Sequence, residues 1–142
     1  MRKYTFDEIE VGMTESFSKE ITPEMEDMFR AITGDENPLH QDDAYAREVS
    51  GGKFESHVAF GMLTASLYST IAGMYLPGKY SLIHSLERVD FKKPVFAGDV
   101  LTVTGTVKEK QDDLHLILLD VIIRNQNNKV VSKAGMKVLV QK

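Results

Sequence analysis

The segment from Gly61 to Tyr75 constrains the fold of this chain most, because it is apolar on nearly every face of the helix that it predicts. A helix of that kind is stable only when it is buried on all sides. Leu76, Pro77 and Gly78 follow directly and predict where the helix ends. The rest of the chain must therefore supply the layer that covers this helix.

Four later segments have the alternating or continuous apolar pattern of β-strands, namely 82–91, 100–107, 114–124 and 129–140. Short polar turns separate the last three strands, and another turn at residues 97–99 precedes the second strand. Turns of this kind favour antiparallel pairing of consecutive strands. We therefore predict an α+β fold, with an antiparallel sheet wrapped around one long buried helix.

The first third of the chain predicts a short strand near residues 15–18 and two helices. Thr22 and Pro23 favour the start of the first helix, and Gly34 favours its end. Its apolar residues recur at helical spacing and predict a core-facing side formed by Met25, Met28, Phe29 and Ile32. A second, shorter helix is predicted between Asp42 and Ser50.

Size and composition limit the possible functions. A chain of 142 residues predicts a single domain over residues 1–142. The net charge of −4 does not favour nucleic acid, which needs a basic face. The absence of cysteine excludes thiolate nucleophiles and zinc–cysteine sites. No signal peptide or membrane-spanning stretch is apparent, so we expect a cytoplasmic protein without a membrane partner.

The segment from Thr33 to His40 carries the clearest signal of chemistry. It places Asp35, Asn37 and His40 within six residues, between two predicted helices. An acid, a base and an orienting amide on one loop suit proton transfer to or from a small substrate. The alternative is an ordinary loop, in which Asp35 closes the helix and Asn37 forms a turn.

The glycine at the start of the apolar helix is the second candidate. The Gly61 N–H lies at the positive end of the helix dipole, where it can polarise an acyl carbonyl. The alternative is purely steric, because glycine also permits close packing or a tight helix start.

The remaining polar residues predict structural roles. His57 and His84 have apolar neighbours and no acidic or nucleophilic partner in a motif, and His115 lies on a predicted strand. Scattered histidines of this kind do not predict a metal site. Ser66 and Ser69 lack a nucleophile elbow and predict core packing.

Three motifs together resemble the MaoC-like (R)-specific enoyl-CoA hydratases and dehydratases. The first, at residues 33–46, is Thr-Gly-Asp-Glu-Asn-Pro-Leu-His followed by five residues and Ala. The second, at residues 58–66, is Val-Ala-Phe-Gly-Met-Leu-Thr-Ala-Ser, and the third, at residues 91–99, is Phe-Lys-Lys-Pro-Val-Phe-Ala-Gly-Asp. The resemblance extends over nearly the whole chain. It implies the hotdog fold, usually dimeric, and reversible hydration of a trans-2-enoyl thioester to the (R)-3-hydroxyacyl thioester.

The resemblance also implies roles for individual residues. Asp35 and His40 would be the catalytic pair, Asn37 would brace the loop or orient the water, and the Gly61 amide would receive the enolate-like oxygen. The substrate is then expected to contact Phe60, Met62 and Leu63. Phe60 departs from the family, because many members have His immediately before the Gly-Met pair.

The implied partner is an acyl-CoA or acyl-carrier-protein thioester, with no cofactor and a homodimer or higher homo-oligomer as the assembly. Basic candidates for the coenzyme A phosphates are Lys53, Arg88, Lys92 and Lys93. Three competing functions stay open: an acyl-CoA thioesterase on the same fold, a 3-hydroxyacyl-carrier-protein dehydratase, and a non-catalytic acyl-CoA-binding module.

Overall fold

The computed structural model describes all 142 residues. In chain order, its elements are β1 (Thr14–Glu20), α1 (Pro23–Thr33), a 3-10 turn (Pro38–His40), α2 (Asp43–Val49), α3 (Gly61–Thr70), a π-helical turn (Ile71–Tyr75), β2 (Ser81–Phe91), β3 (Val100–Gln111), a 3-10 turn (Asp112–Leu114), β4 (Leu116–Arg124) and β5 (Val130–Val140). The predicted α+β architecture is confirmed. No helix of the chain has the length and apolar character needed to cross a membrane.

The five strands form one antiparallel sheet in the order β1-β3-β4-β5-β2. The expectation that consecutive strands are neighbours is wrong for β2 and β3, which lie at separate places in the sheet. The connection at residues 92–99 packs against the chain before α3, where the Ala59 N–H donates to the Val95 carbonyl (2.7 Å). The turn at 97–99 therefore leads into β3 without closing a hairpin.

Helix α3 and its π-helical extension form the centre of the molecule, as predicted, but the expected burial on all sides is wrong for one face, where Met62, Ser66, Ser69 and Met74 are exposed. Tyr68 and Ile71 are fully buried in a single core cluster of 25 residues. The Tyr68 hydroxyl lies 2.6 Å from Ser132 Oγ, which in turn donates to the Asp90 carbonyl (2.7 Å). Burial raises the pKa of Tyr68, so its hydroxyl keeps its proton within this chain of hydrogen bonds. These bonds fix α3 to β5 and to the end of β2.

The ends of α1 match the sequence signals, but its orientation does not. The Met25 N–H donates to Thr22 Oγ1 (3.3 Å) at the start, and Gly34 is left-handed (φ 70°) at the end. Of the predicted apolar face, Met25 and Phe29 pack against the core. Met28 and Ile32 are exposed, and the prediction for them is wrong. The helix is rotated because Glu26, only 3% exposed, faces inward.

Candidate active site

A cavity of about 290 Å³ lies between the first turn of α3 and the chain that follows β2. His40 and Gly61 both line it, so the structure brings together two of the predicted site residues. They come from separate elements, the 3-10 turn before α2 and the first residue of α3. The rest of the wall is mostly apolar and includes Phe54, Phe91, Pro94 and Val95.

The orientation of His40 is fixed on two sides. Its Nδ1 lies 2.8 Å from the Val58 carbonyl oxygen, which can only accept a hydrogen bond. Nδ1 therefore carries the proton, and in the neutral ring Nε2 is left with its lone pair. The ring also packs on Phe60 (centroids 4.4 Å apart), which itself contacts Phe29 (5.2 Å). His40 thus presents a defined proton acceptor.

Asp35 and Asn37 shape the loop that carries His40. The Asn37 N–H donates to Asp35 Oδ1 (3.0 Å), and the Leu39 N–H donates to Asn37 Oδ1 (2.9 Å). These two turns lead directly into the 3-10 turn that ends at His40. Both side chains belong to exposed residues, and neither lines the cavity within this chain. Asp35 Oδ2 has no hydrogen-bond partner in the chain.

The start of α3 offers two backbone donors. Phe60 provides no side-chain cap, and neither the Gly61 nor the Met62 N–H donates a hydrogen bond within the chain. Unpaired amides at a helix N-terminus attract negative charge, which the helix dipole reinforces. A Cβ at Gly61 would lie 3.4 Å from the Phe91 ring, so the glycine keeps this corner of the cavity open.

Thr64 is a polar residue of the cavity that the sequence analysis missed. It lies one turn after Gly61, lines the cavity and is 2% exposed, yet its hydroxyl has no hydrogen-bond partner. A buried hydroxyl without a partner carries a desolvation cost of about 1–3 kcal/mol. The sequence signal was a hydroxyl residue one helical turn, three positions, after the candidate glycine.

The three residues expected to contact substrate lie outside the cavity wall. Phe60 is 2% exposed and lies behind His40, Leu63 belongs to the core, and Met62 is 63% exposed beside the unpaired amides. Their contact with substrate stays a prediction. The position of Phe60 shows that a side chain directly before Gly61 acts on the ring of His40.

Of the basic candidates, Lys92 and Lys93 line the cavity as exposed residues. Arg88 lines a different depression of the sheet, together with Asp90 and Asp120. Lys53 lies on the α2–α3 connection, with its Nζ 6.0 Å from the Phe54 ring centroid. No group of three or more His, Cys, Asp or Glu side chains is arranged to hold a metal ion.

His57 has the acidic partners that its sequence neighbours did not reveal. Its ring nitrogens lie 2.8 Å from Glu26 Oε2 and 2.7 Å from Asp43 Oδ1. Glu26 is 31 residues away in sequence and Asp43 is 14, so no local motif could indicate the cluster. The cluster is adjacent to Val58, the residue whose carbonyl orients His40.

Comparison with known proteins identifies the family to which the chain is similar. The family described as "MaoC like domain" matches residues 7–125. The (R)-specific enoyl-CoA hydratase of Aeromonas caviae is 37% identical over 118 residues, covering 83% of this chain and 85% of the relative. The 3-hydroxybutyryl-CoA dehydratase of Methylorubrum extorquens is 35% identical over 109 residues, covering 77% of this chain and 67% of the relative.

Solved structures agree in the same way. The unliganded R-hydratase PhaJ1 of Pseudomonas aeruginosa superimposes with a TM-score of 0.88 at 29% identity, over 97% of this chain and 86% of that one. The (R)-hydratase of A. caviae gives a TM-score of 0.85 at 33% identity, over 93% and 97% of the two chains. The expected hotdog fold is confirmed. Since the family match covers most of its length, the chain belongs to the MaoC-like domain family.

Proposed function

We propose that this chain is a hydro-lyase that reversibly adds water to a trans-2-enoyl thioester, giving the (R)-3-hydroxyacyl thioester. The observation that carries the proposal is the placement of the His40 imidazole and the unpaired Gly61 amide on one apolar cavity. Relatives named (R)-specific enoyl-CoA hydratase and 3-hydroxybutyryl-CoA dehydratase support this reaction, with coenzyme A as carrier.

The chemistry needs three groups. Hydration forms a C–O bond at C3, places a proton on C2 and passes through a state with negative charge on the thioester oxygen. His40 Nε2 has the free lone pair needed to take a proton from water, because Nδ1 is committed to Val58. The Gly61 N–H would donate a hydrogen bond to the developing oxyanion, supported by the dipole of α3.

Asp35 is proposed as the second member of the proton-transfer pair. It lies five residues before His40 on the same loop, and its Oδ2, which has no partner in the chain, would bind the same water as His40 Nε2. Asn37 acts through the loop, since its side chain caps the turn that carries His40. Between them, Asp35 and His40 supply the acid at C2 and the base toward water.

The cavity walls suggest how the substrate lies. The acyl chain would follow α3 past Thr64, while contacts from Phe60, Met62 and Leu63, which lie outside the cavity wall, stay a prediction. Lys92 and Lys93 line the same cavity and suit the phosphates of coenzyme A. No cofactor is needed, because the reaction moves only protons and water.

We also propose that the chain forms a homodimer through β2. This strand is a sheet edge of 11 residues, and its exposed apolar residues include Leu82, Ile83 and Leu86. A long apolar edge of this kind favours pairing with another strand. Leu86→Glu should lower the mass seen by sedimentation velocity from two chains to one, whereas Leu114→Glu, at an exposed turn, should not. Wild type sedimenting as one chain would contradict this.

A single domain over residues 1–142 and a cytoplasmic location stay predictions.

The function is tested with a panel of thioesters. Purified protein is offered trans-2-enoyl-CoA of increasing chain length, the matching saturated acyl-CoA and one enoyl-acyl-carrier-protein. Loss of enoyl absorbance without free thiol, with a product of (R) configuration, is the expected result. Thiol release from the saturated substrate would identify a thioesterase. Faster turnover of the carrier-protein substrate would identify a 3-hydroxyacyl-carrier-protein dehydratase, and binding without turnover would identify a non-catalytic acyl-CoA-binding module.

A further inference from the structure

His57 lies between two carboxylates that come from two different helices. Its Nε2 contacts Glu26 Oε2 of α1 (2.8 Å), and its Nδ1 contacts Asp43 Oδ1 of α2 (2.7 Å). The His57 N–H donates to the same Asp43 oxygen (2.9 Å). An ionised carboxylate only accepts hydrogen bonds, so both ring nitrogens donate when both acids are ionised. The geometry is that of an imidazolium.

The charges around the ring favour that state. Burial is the largest single influence and lowers the pKa of His57, but the hydrogen bonds to Asp43 and Glu26 and their charges outweigh it, so the pKa is raised. The hydrogen bonds from the backbone and ring of His57 lower the pKa of Asp43, with a smaller contribution from Arg47. On α1, Arg30 lies one turn after Glu26 but pairs with Asp27 (3.0 Å).

The burial of Glu26 requires a positive charge on His57. Glu26 is 3% exposed, and its second oxygen, Oε1, has no hydrogen-bond partner. An ionised carboxylate taken out of water is strongly disfavoured unless a charge or hydrogen bonds compensate it. His57 is the only side chain that pairs with Glu26. Loss of the His57 proton would therefore leave the inward face of α1 with an uncompensated charge.

The next residue connects this cluster to the candidate active site. The Val58 N–H donates to the Leu39 carbonyl (3.0 Å), and the Val58 carbonyl accepts from His40 Nδ1 (2.8 Å). Val58 is thus bound twice to the turn that carries His40. Any movement of the chain at His57 changes the position of the oxygen that selects the His40 tautomer.

We propose that His57 is a positioning residue for the proposed hydration: as an imidazolium held by Glu26 and Asp43, it fixes Val58 and thereby keeps Nε2 of His40 directed into the cavity. The inference rests on the proposed function for its kinetic consequence only. Its structural consequence, a single tautomer of His40, exists without substrate.

The kinetic test compares His57→Gln and His57→Lys with wild type, using a trans-2-enoyl-CoA from mildly acidic to alkaline pH. We expect His57→Gln to lower kcat about 10- to 100-fold, since small misplacements of a catalytic group have effects of that size. KM should change little. Wild type should lose kcat as His57 deprotonates, and His57→Lys, whose cation persists to higher pH, should recover part of kcat and remove that alkaline limb.

A milder variant keeps the test decisive if His57→Gln does not fold. Asp43→Asn retains an oxygen for the His57 N–H but removes one of the two charges, so the alkaline limb should move to lower pH. The matched control is Asp42→Asn, one residue away, because asparagine caps the start of α2 as well as aspartate does. Its pH profile should follow wild type.

The spectroscopic test separates this proposal from the proposed function. Imidazole ¹⁵N spectra should show His40 protonated at Nδ1 in the neutral wild type and a mixture of tautomers in His57→Gln or, at alkaline pH, in Asp43→Asn. If wild type hydrates no enoyl thioester, the proposed function fails while this spectrum still decides the positioning role. Unchanged His40 spectra and pH profiles in the folded variants would overturn the role of His57.

Discussion

A single hydrogen bond decides the chemistry available at His40. Because the Val58 carbonyl holds the Nδ1 proton, the other ring nitrogen is a base rather than a donor in the neutral ring. Asp35 differs, since one of its oxygens holds the loop and the other is free. The same carboxylate can therefore both shape the loop and take part in proton transfer.

Asp35→Asn separates those two tasks. The amide oxygen can still accept the Asn37 N–H, so the loop should keep its shape while the acid–base function is lost. We expect kcat for enoyl-CoA hydration to fall by at least about 10², the usual lower range for such a group. Glu36→Gln, at the exposed neighbouring position, should retain wild-type turnover. Equal rates for Asp35→Asn and wild type would remove Asp35 from the mechanism.

Thr64 predicts opposite effects on stability and activity. Valine has nearly the same shape, so Thr64→Val removes a buried hydroxyl that has no partner. The free energy of unfolding should rise by about 1 kcal/mol, measured in urea. If substrate or water uses the hydroxyl, kcat/KM should fall in the same variant. Ser66→Ala, which removes a hydroxyl already bonded to the Leu63 carbonyl (2.6 Å), should not lower kcat/KM.

At the scale of elements, the position of α3 against the sheet determines where its first turn meets the 3-10 turn carrying His40. The π-helical turn that extends α3 packs closely on Gly105 of β3, where an added Cβ would lie 3.1 Å from Ile71 Cγ1. Since Ile71 is fully buried, it has little room to move. The glycine therefore permits the close packing of β3 against the π-helical turn at this point.

Gly105→Ala should lower the free energy of unfolding by about 1–3 kcal/mol, as overpacking of a core typically does. Gly135→Ala is the matched control on β5, because its nearest neighbour would be 3.7 Å from the new Cβ. Urea denaturation of both variants measures the difference. Two equally stable variants would show that α3 is free to shift away from β3.

At the scale of the whole molecule, the His57 cluster makes stability depend on pH. The folded pKa of His57 is raised above the ordinary 6.5, so its contribution is fully present below that value. The contribution is lost as the pH rises through the folded pKa. Asp43 has the opposite sign: its pKa is lowered from 3.8, so its contribution is lost only in acid.

Urea denaturation from neutral to mildly alkaline pH should therefore show declining stability in wild type. His57→Gln should be less stable at neutral pH and should show a flatter dependence over the same range. The pH series must stay below the ordinary tyrosine pKa of 10.0. The pKa values of Tyr4 and Tyr68 are raised in the folded chain, so tyrosine ionisation would add a pH dependence of its own. A wild-type curve as flat as that of the variant would contradict the linkage.

Local patterns were enough to predict most of the elements and to single out His40 and Gly61, which line one cavity in the structure. The apolar run of α3, the Thr22–Pro23 helix start and the alternating strands act over neighbouring residues, so sequence spacing reveals them. The strand order depends on the path of residues 92–99. The rotation of α1 depends on the burial of Glu26. Both are set by contacts distant in sequence, and for the same reason the partners of His57 and the unpaired hydroxyl of Thr64 appeared only in three dimensions.

Proton transfer by the His40 imidazole on an enoyl thioester bound at the Gly61 amide can be measured as the initial rate of enoyl-CoA hydration in wild type and in folded His40→Ala. We expect rapid loss of enoyl absorbance in wild type and a rate lower by at least about 10² in the variant. Equal rates in the two proteins, or no hydration by wild type at any chain length, would contradict it.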